Sequence, residues 1–241
     1  MQGDAEAPAL ASGSEREGRG ARVAELIAEH GSPLWLADVD RVRRNHRAFR
    51  ATWQAAWPHV SVSYSYKTNR TLAFLRALHA DGARPEVVCA AEYALAVDAI
   101  GADGAVVTLN GPAKGGALLA RAAADGALVV ADTAEELERM AAAGVRRAGL
   151  RVALAGDQPT SRFGLPPEEV VTAGRRAVAL GLQLEALCVH LVSTDFVAEP
   201  SVERTLGASV RVGWAKSPAL HADAAGVLAR LVAELGENGV A

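Results

Sequence analysis

Val60-Ser61-Val62-Ser63-Tyr64-Ser65-Tyr66-Lys67-Thr68-Asn69 is the stretch on which the reading of this chain turns. β-branched and aromatic residues alternate with serine, as a strand facing two different environments requires. The run delivers Lys67 to its C-terminal end, and a helix-forming segment starts at Thr71. A lysine held at the mouth of a barrel or sheet can be desolvated enough to act as an amine nucleophile. The plainer alternative is a solvated lysine after an edge strand.

The same pattern recurs downstream. Short strands are expected at Val60–Tyr66, Glu86–Cys89, Ala105–Leu109, Leu128–Ala131, Gly149–Leu154 and Leu184–His190. Helices are expected near Thr71–Asp81, Glu92–Ile100, Lys114–Asp125, Ala134–Ala143, Glu168–Leu180 and Leu220–Leu235. Thr133 with Glu136 reads as a capping box, and Gly144 stands where a C′ residue belongs. Pro166-Pro167-Glu168-Glu169 suits a first helical turn, Gly181 ends that helix, and Gly82 and Gly236 end two others.

Units of about 30 residues match a right-handed βα crossover repeat. Steady alternation implies a parallel sheet, either open and doubly wound or closed as a barrel. No glycine-rich phosphate loop follows the first strand, as a dinucleotide fold would need, which favours the barrel. Val60, Val62, Val88, Val106, Val129, Val130, Val152 and Leu187 are expected to be largely buried. Ahead of the first unit, Ser32–Asp40 reads as an extended strand leading to a helix with Val42, Phe49 and Trp53 on one face. That preamble exceeds what a barrel needs and could belong to a second domain.

Composition narrows the function. The 241 residues are half hydrophobic with a formal net charge of -3, enough chain for one large α/β domain or two small ones. Slight acidity and the lack of any basic run argue against nucleic acid as a partner. The two cysteines, Cys89 and Cys188, form no disulfide framework or zinc spacing, and a cytoplasmic location is expected. Residues 1–22 read as a disordered leader without the apolar core of a signal peptide, and 23–241 as the barrel. No apolar stretch reaches membrane-spanning length.

In a parallel barrel, chemistry collects where strands end and the βα loops converge. Those positions carry Lys67 and Asn69, Glu92, Asn110, Asp132, Ser161 with Arg162, and His190 with Ser193. A structural duty explains any one of them: Asp132 at a helix start, Asn110 as a turn former, His190 as a hydrogen-bonded core histidine. Their convergence on one rim makes a site.

Tyr64-Ser65-Tyr66-Lys67-Thr68-Asn69 resembles the pyridoxal-phosphate lysine motif of the fold type III decarboxylases. That group includes diaminopimelate, ornithine and biosynthetic arginine decarboxylases and is related to alanine racemase. The resemblance continues in order through Glu86–Glu92, Asn110-Gly111-Pro112-Ala113-Lys114, Val130-Ala131-Asp132 with Glu136-Leu137, and Leu150-Arg151-Val152. It ends with Ser161-Arg162-Phe163-Gly164-Leu165 and Cys188–Ser193. It implies a parallel (β/α)8-type barrel, a pyridoxal 5'-phosphate cofactor and a carboxy-lyase acting on a small amino acid, diaminopimelate first. Lys67 would hold the cofactor covalently, His190 would stack on its ring, and Ser193 would help hold the phosphate. Glu92 would sit near the cofactor, with Asp132, Arg151 and Arg162 around the pocket.

Three features depart from the family pattern. Glu86 stands where Asp is usual, and Val192 where Gly usually separates the histidine from the serine. The phosphate-loop glycines and C-terminal β-domain of the family have no counterpart before Ala241, and two further units would need about 60 residues. The barrel is therefore expected to be incomplete, with about six units. Such a chain is expected to associate as a homodimer, or with a partner supplying the missing segment, and to show negligible activity alone. A non-catalytic pyridoxal-phosphate-binding protein and a degenerate regulatory homologue remain open as alternatives.

Overall fold

The computed structural model describes residues 13–153, 163–190, 196–198, 212–214 and 218–240. The chain divides into a short unit, residues 1–41, and a larger one, residues 42–241. In the short unit, α1 spans Gly13–His30. Residues 13–22, expected to be a leader without structure, are its first turns. The strand expected over 32–40 does not form. Instead the Asp38 carboxylate accepts the Arg41 N–H at 2.8 Å and starts α2, Val39–Ala56.

The larger unit is built on one six-stranded parallel sheet: β1 Ser63–Ser65, β2 Arg84–Val87, β3 Thr108–Leu109, β4 Leu128–Ala131, β5 Arg147–Arg151 and β6 Gln183–Cys188. Between strands lie α3 Leu72–Ala80, α4 Ala90–Ala94, α5 Gly116–Ala124, α6 Ala134–Ala142 and α7 Pro167–Ala179. A single π turn, Leu95–Ala99, prolongs α4. Beyond the sheet, β7 Phe196–Ala198 pairs antiparallel with β8 Val212–Trp214, and α8 Pro218–Glu237 follows.

Spatial order equals chain order, β1 to β6. Each right-handed crossover therefore steps the same way and lays its helix on the same face. A doubly wound sheet needs a reversal of order, and this sheet has none. It is a barrel-type α/β sheet of six strands with β1 and β6 as its edges. Burial follows that geometry: Val129, Val130 and Val152 are buried, as expected of central strands covered on both faces. Val60, Val62, Val88 and Leu187 are only half-buried.

Val106 is exposed, contrary to expectation. Asp103 accepts the Ala105 N–H at 3.0 Å and folds Gly104–Val106 into a 3-10 turn, so β3 starts late and Val107 takes the buried place. Gly144 does sit at C′ of α6 with φ 82°. Gly236 does not end α8, which runs to Glu237 before Gly239 turns the chain at φ 69°.

On the outer layer, Arg43 and Arg47 of α2 each donate two hydrogen bonds to the Asp81 carboxylate, at 2.8–3.1 Å. The two guanidiniums hold that carboxyl well below its ordinary value and pin α2 to the end of α3.

Candidate active site

β1 hands the chain to a tight turn. Tyr66 is fully buried, and its hydroxyl donates to His79 Nε2 at 2.7 Å while His79 Nδ1 donates to the Ala83 carbonyl at 2.6 Å. Burial pushes the Tyr66 phenol up to about 12. Thr68 donates through Oγ1 to the Ser65 carbonyl at 2.6 Å, and Asn69 Oδ1 accepts the Thr71 N–H at 2.9 Å. Lys67 is held between these anchors. It is exposed rather than desolvated, because it lies in the turn beyond an edge strand.

His190 follows β6 by two residues and is half-buried. Its Nε2 accepts a hydrogen bond from the Asn110 amide at 2.9 Å. Burial first, then the positive charges of Arg151 and Lys67, hold its pKa below the ordinary 6.5, with Glu86 and Asp132 opposing. Burial pushes the Cys188 thiol up, and the Asn110 hydrogen bond opposes it. The contacts that tie these strand ends together are Asn110 to His190 and Cys188, at 2.9 and 3.6 Å.

Arg151 donates to Asp132 Oδ1 at 3.0 Å and lies over the Phe163 ring, 5.0 Å from its centroid. The Phe-Gly-Leu part of the Ser161–Leu165 motif folds back on the end of β5. Leu165 N–H donates to the Arg151 carbonyl at 2.7 Å, and Gly164 has φ 85°. A Cβ on Gly164 would stand 3.0 Å from Ala153 N and the Arg151 carbonyl, so only glycine fits. Ser161, Arg162 and Ser193 lie outside the described residues.

Glu92 is buried, accepts the Val88 N–H at 3.0 Å, and stands 3.9 Å from Arg70. Expected near the cofactor, it holds the start of α4. Glu136 plays the matching part in α6. Its carboxylate bonds the Asp132 N–H at 2.9 Å and the Lys114 ammonium at 2.9 Å, instead of closing a capping box on Thr133. One oxygen, Oε2, takes both the ammonium and the peptide N–H. Burial pulls the Lys114 pKa down and Glu136 partly restores it. Lys114 also donates to the Gly111 carbonyl. Sequence reasoning missed this buried pair and the Asn110–His190 bond, although Asn110-Gly111-Pro112-Ala113-Lys114 carried two of the residues involved.

Two buried polar atoms have no hydrogen-bond partner among the described residues: Ser65 Oγ and Glu86 Oε1, on residues paired across β1 and β2. Such atoms are few in native structures and call for a partner. With Lys67 just beyond β1, they suit a small polar molecule with hydrogen-bonding substituents. A pyridoxal ring fits that donor set.

The fold and this rim define a barrel with a lysine and a histidine at strand ends. The chain belongs to the family described as alanine racemase, N-terminal domain, which residues 37–215 match. It is 33% identical over 181 residues to the diaminopimelate decarboxylase of Deinococcus radiodurans, covering 70% of this chain and 45% of that protein. Its fold is similar to lysine decarboxylase from Selenomonas ruminantium, with a TM-score of 0.74, 24% identity, and coverage of 96% of this chain and 54% of that one. It is likewise similar to a structure of SrLDC in complex with PLP and cadaverine, with a TM-score of 0.73, 24% identity, and coverage of 96% and 52%. The chain thus spans about half the length of the proteins it matches. The resemblance to fold type III decarboxylase barrels holds. Among the described residues no helix is long and apolar enough to cross a membrane.

Proposed function

We propose that this chain is the cofactor-holding barrel portion of a pyridoxal-phosphate-dependent amino-acid decarboxylase, most like diaminopimelate decarboxylase. The observation that carries the reading is the placement of Lys67 just beyond β1 and His190 just beyond β6, with the partnerless Ser65 Oγ and Glu86 Oε1 on the adjoining β1–β2 pair. Lys67 supplies the amine that bonds the cofactor, and the neutral His190 ring offers an uncharged face for stacking. Glu86 and Ser65 supply hydrogen-bonding groups. The Arg151–Asp132 pair fixes charge at the rim, Glu92 holds the β2–α4 corner, and Ser193 is assigned to the phosphate by the resemblance. Bound there, pyridoxal phosphate supplies an electron-withdrawing ring that takes up the electron pair released when a substrate carboxylate leaves as carbon dioxide. Water exclusion and the distal substrate contacts are assigned to a second copy of the chain or a partner subunit.

The test incubates the chain with pyridoxal phosphate, reduces with borohydride, and maps the label by peptide mass. Label on Lys67, lost in Lys67→Ala, supports the reading; label spread over surface lysines and unchanged in Lys67→Ala defeats it. Carbon dioxide release from diaminopimelate, lysine, ornithine and arginine then tests the reaction. Binding without release from any of them points to a non-catalytic pyridoxal-phosphate-binding protein instead.

A further inference from the structure

We propose that Asn110 is the positioning residue for His190, selecting the imidazole tautomer that carries its proton on Nδ1 and holding the ring by its Nε2 edge. The inference rests on the reading of His190 as the ring-facing residue, but its geometry stands without any cofactor.

The amide orientation follows from a group that can only donate. Gly111 N–H points at Asn110 Oδ1 at 2.8 Å, so the atom there must be oxygen. The other end of the side chain is then the NH2, which cannot accept. It faces His190 Nε2 at 2.9 Å and Cys188 Sγ at 3.6 Å. Nε2 must therefore be the unprotonated nitrogen, leaving the proton on Nδ1. Adding a proton to Nε2 would oppose two donors and break the contact.

Asn110 is itself immobilised. It is 3% exposed, and its backbone N–H donates to the Val87 carbonyl at 2.8 Å. Its neighbour Gly111 has φ 95°, lies against Val88, and gives its carbonyl to the buried Lys114. The Glu136–Lys114 pair thus fixes the loop that aims the amide. Arg151 from β5 and Lys67 beyond β1 also disfavour an imidazolium, while Glu86 from β2 and Asp132 beyond β4 favour one; Cys188 is the titratable neighbour on the ring's own strand. The role is to keep the ring neutral and in one orientation.

Nitrogen NMR of histidine-labelled full chain, without pyridoxal phosphate, tests this. His190 is assigned by the signals lost in His190→Gln, and His46, whose Nε2 contacts the Asp81 carbonyl, is the internal reference. The expected spectrum shows Nε2 of His190 unprotonated through neutral pH. Asn110→Asp keeps the shape and the bond from Gly111 but presents an acceptor. It should move the proton to Nε2 and raise the His190 pKa by about 1–3 units. Asn110→Ala should give a mixture of tautomers. A wild-type ring protonated on Nε2 overturns the proposal. So do His190 shifts and titration unchanged in Asn110→Asp while His46 stays put. If Asn110→Asp perturbs His46 as well, the wild-type tautomer alone decides. Borohydride labelling away from Lys67 would remove the cofactor reading and leave this result standing.

Discussion

At the start of α4 and again at the start of α6, the third helical residue is a glutamate that reaches back to the peptide N–H just beyond the preceding strand. Glu92 takes the Val88 N–H at 3.0 Å and Glu136 takes the Asp132 N–H at 2.9 Å. Both carboxylates sit at a helix N-terminus, where negative charge is favoured. Their counter-ions differ. Glu136 faces the buried Lys114 at 2.9 Å, whereas Glu92 faces Arg70, 60% exposed, at 3.9 Å. One corner is a sealed lock and the other opens toward solvent. Gly111 joins them, touching Val88 of the first and accepting Lys114 of the second. One local device thus serves rigidity or accessibility according to what the fold sets against it.

The sealed corner carries the largest expected effect. Lys114→Met leaves the Glu136 carboxylate buried with only the Asp132 N–H and a distant Arg139 at 3.5 Å. Removing one member of a buried pair costs about 3–5 kcal/mol, read from urea denaturation. Adding Glu136→Gln, which still accepts from Asp132, should recover most of that loss. A single-variant loss under about 1 kcal/mol would show that water reaches the pair.

The difference between the corners also marks what could be read from the chain. The strand-helix alternation, β4 over Leu128–Ala131, and the terminator at Gly144 were legible, because they rest on local patterning. The placement of Lys67, Asp132, Arg151 and His190 at or just beyond strand ends was legible too, because it follows from the same alternation. Lys114–Glu136 was not legible. Glu136 after Thr133 looks like a capping box until a lysine 22 positions earlier arrives to claim it. Asn110 likewise looks like a turn former before Gly111-Pro112, and only the fold brings it to His190, 80 positions away. Val106 failed for a local reason, the Asp103 cap that delays β3.

Glu92→Ala should come next. It leaves the Val88 N–H without its acceptor, a loss of about 1–3 kcal/mol. Glu92→Gln keeps an acceptor and should lose less than half as much. Equal losses for the two variants would mean that charge, not the hydrogen bond, holds this corner. Gly111→Ala strikes the joint between them. A non-glycine residue at φ 95° with its Cβ 3.0 Å from the Val88 Cβ and carbonyl is strained, by about 1–2 kcal/mol from the backbone alone. Hydrogen exchange should then rise at both Val88 and Asp132. A rise at only one would show that the corners are not coupled through Gly111.

Arg70→Ala is the smallest effect and the sharpest test of the contrast. Arg70 is 60% exposed and 3.9 Å from a carboxylate that is almost wholly buried. If the open corner works through its hydrogen bond to Val88, the guanidinium is an ordinary surface partner. Its loss should then change stability by no more than about 0.5 kcal/mol. That change should shrink further in 1 M salt, where charges are screened within about 3 Å. A loss near that of Lys114→Met, persisting in high salt, would make Arg70 a true counter-ion. The two corners would then be one lock built twice. The salt series separates these outcomes, because a sealed pair is insensitive to added ions and a solvated one is not.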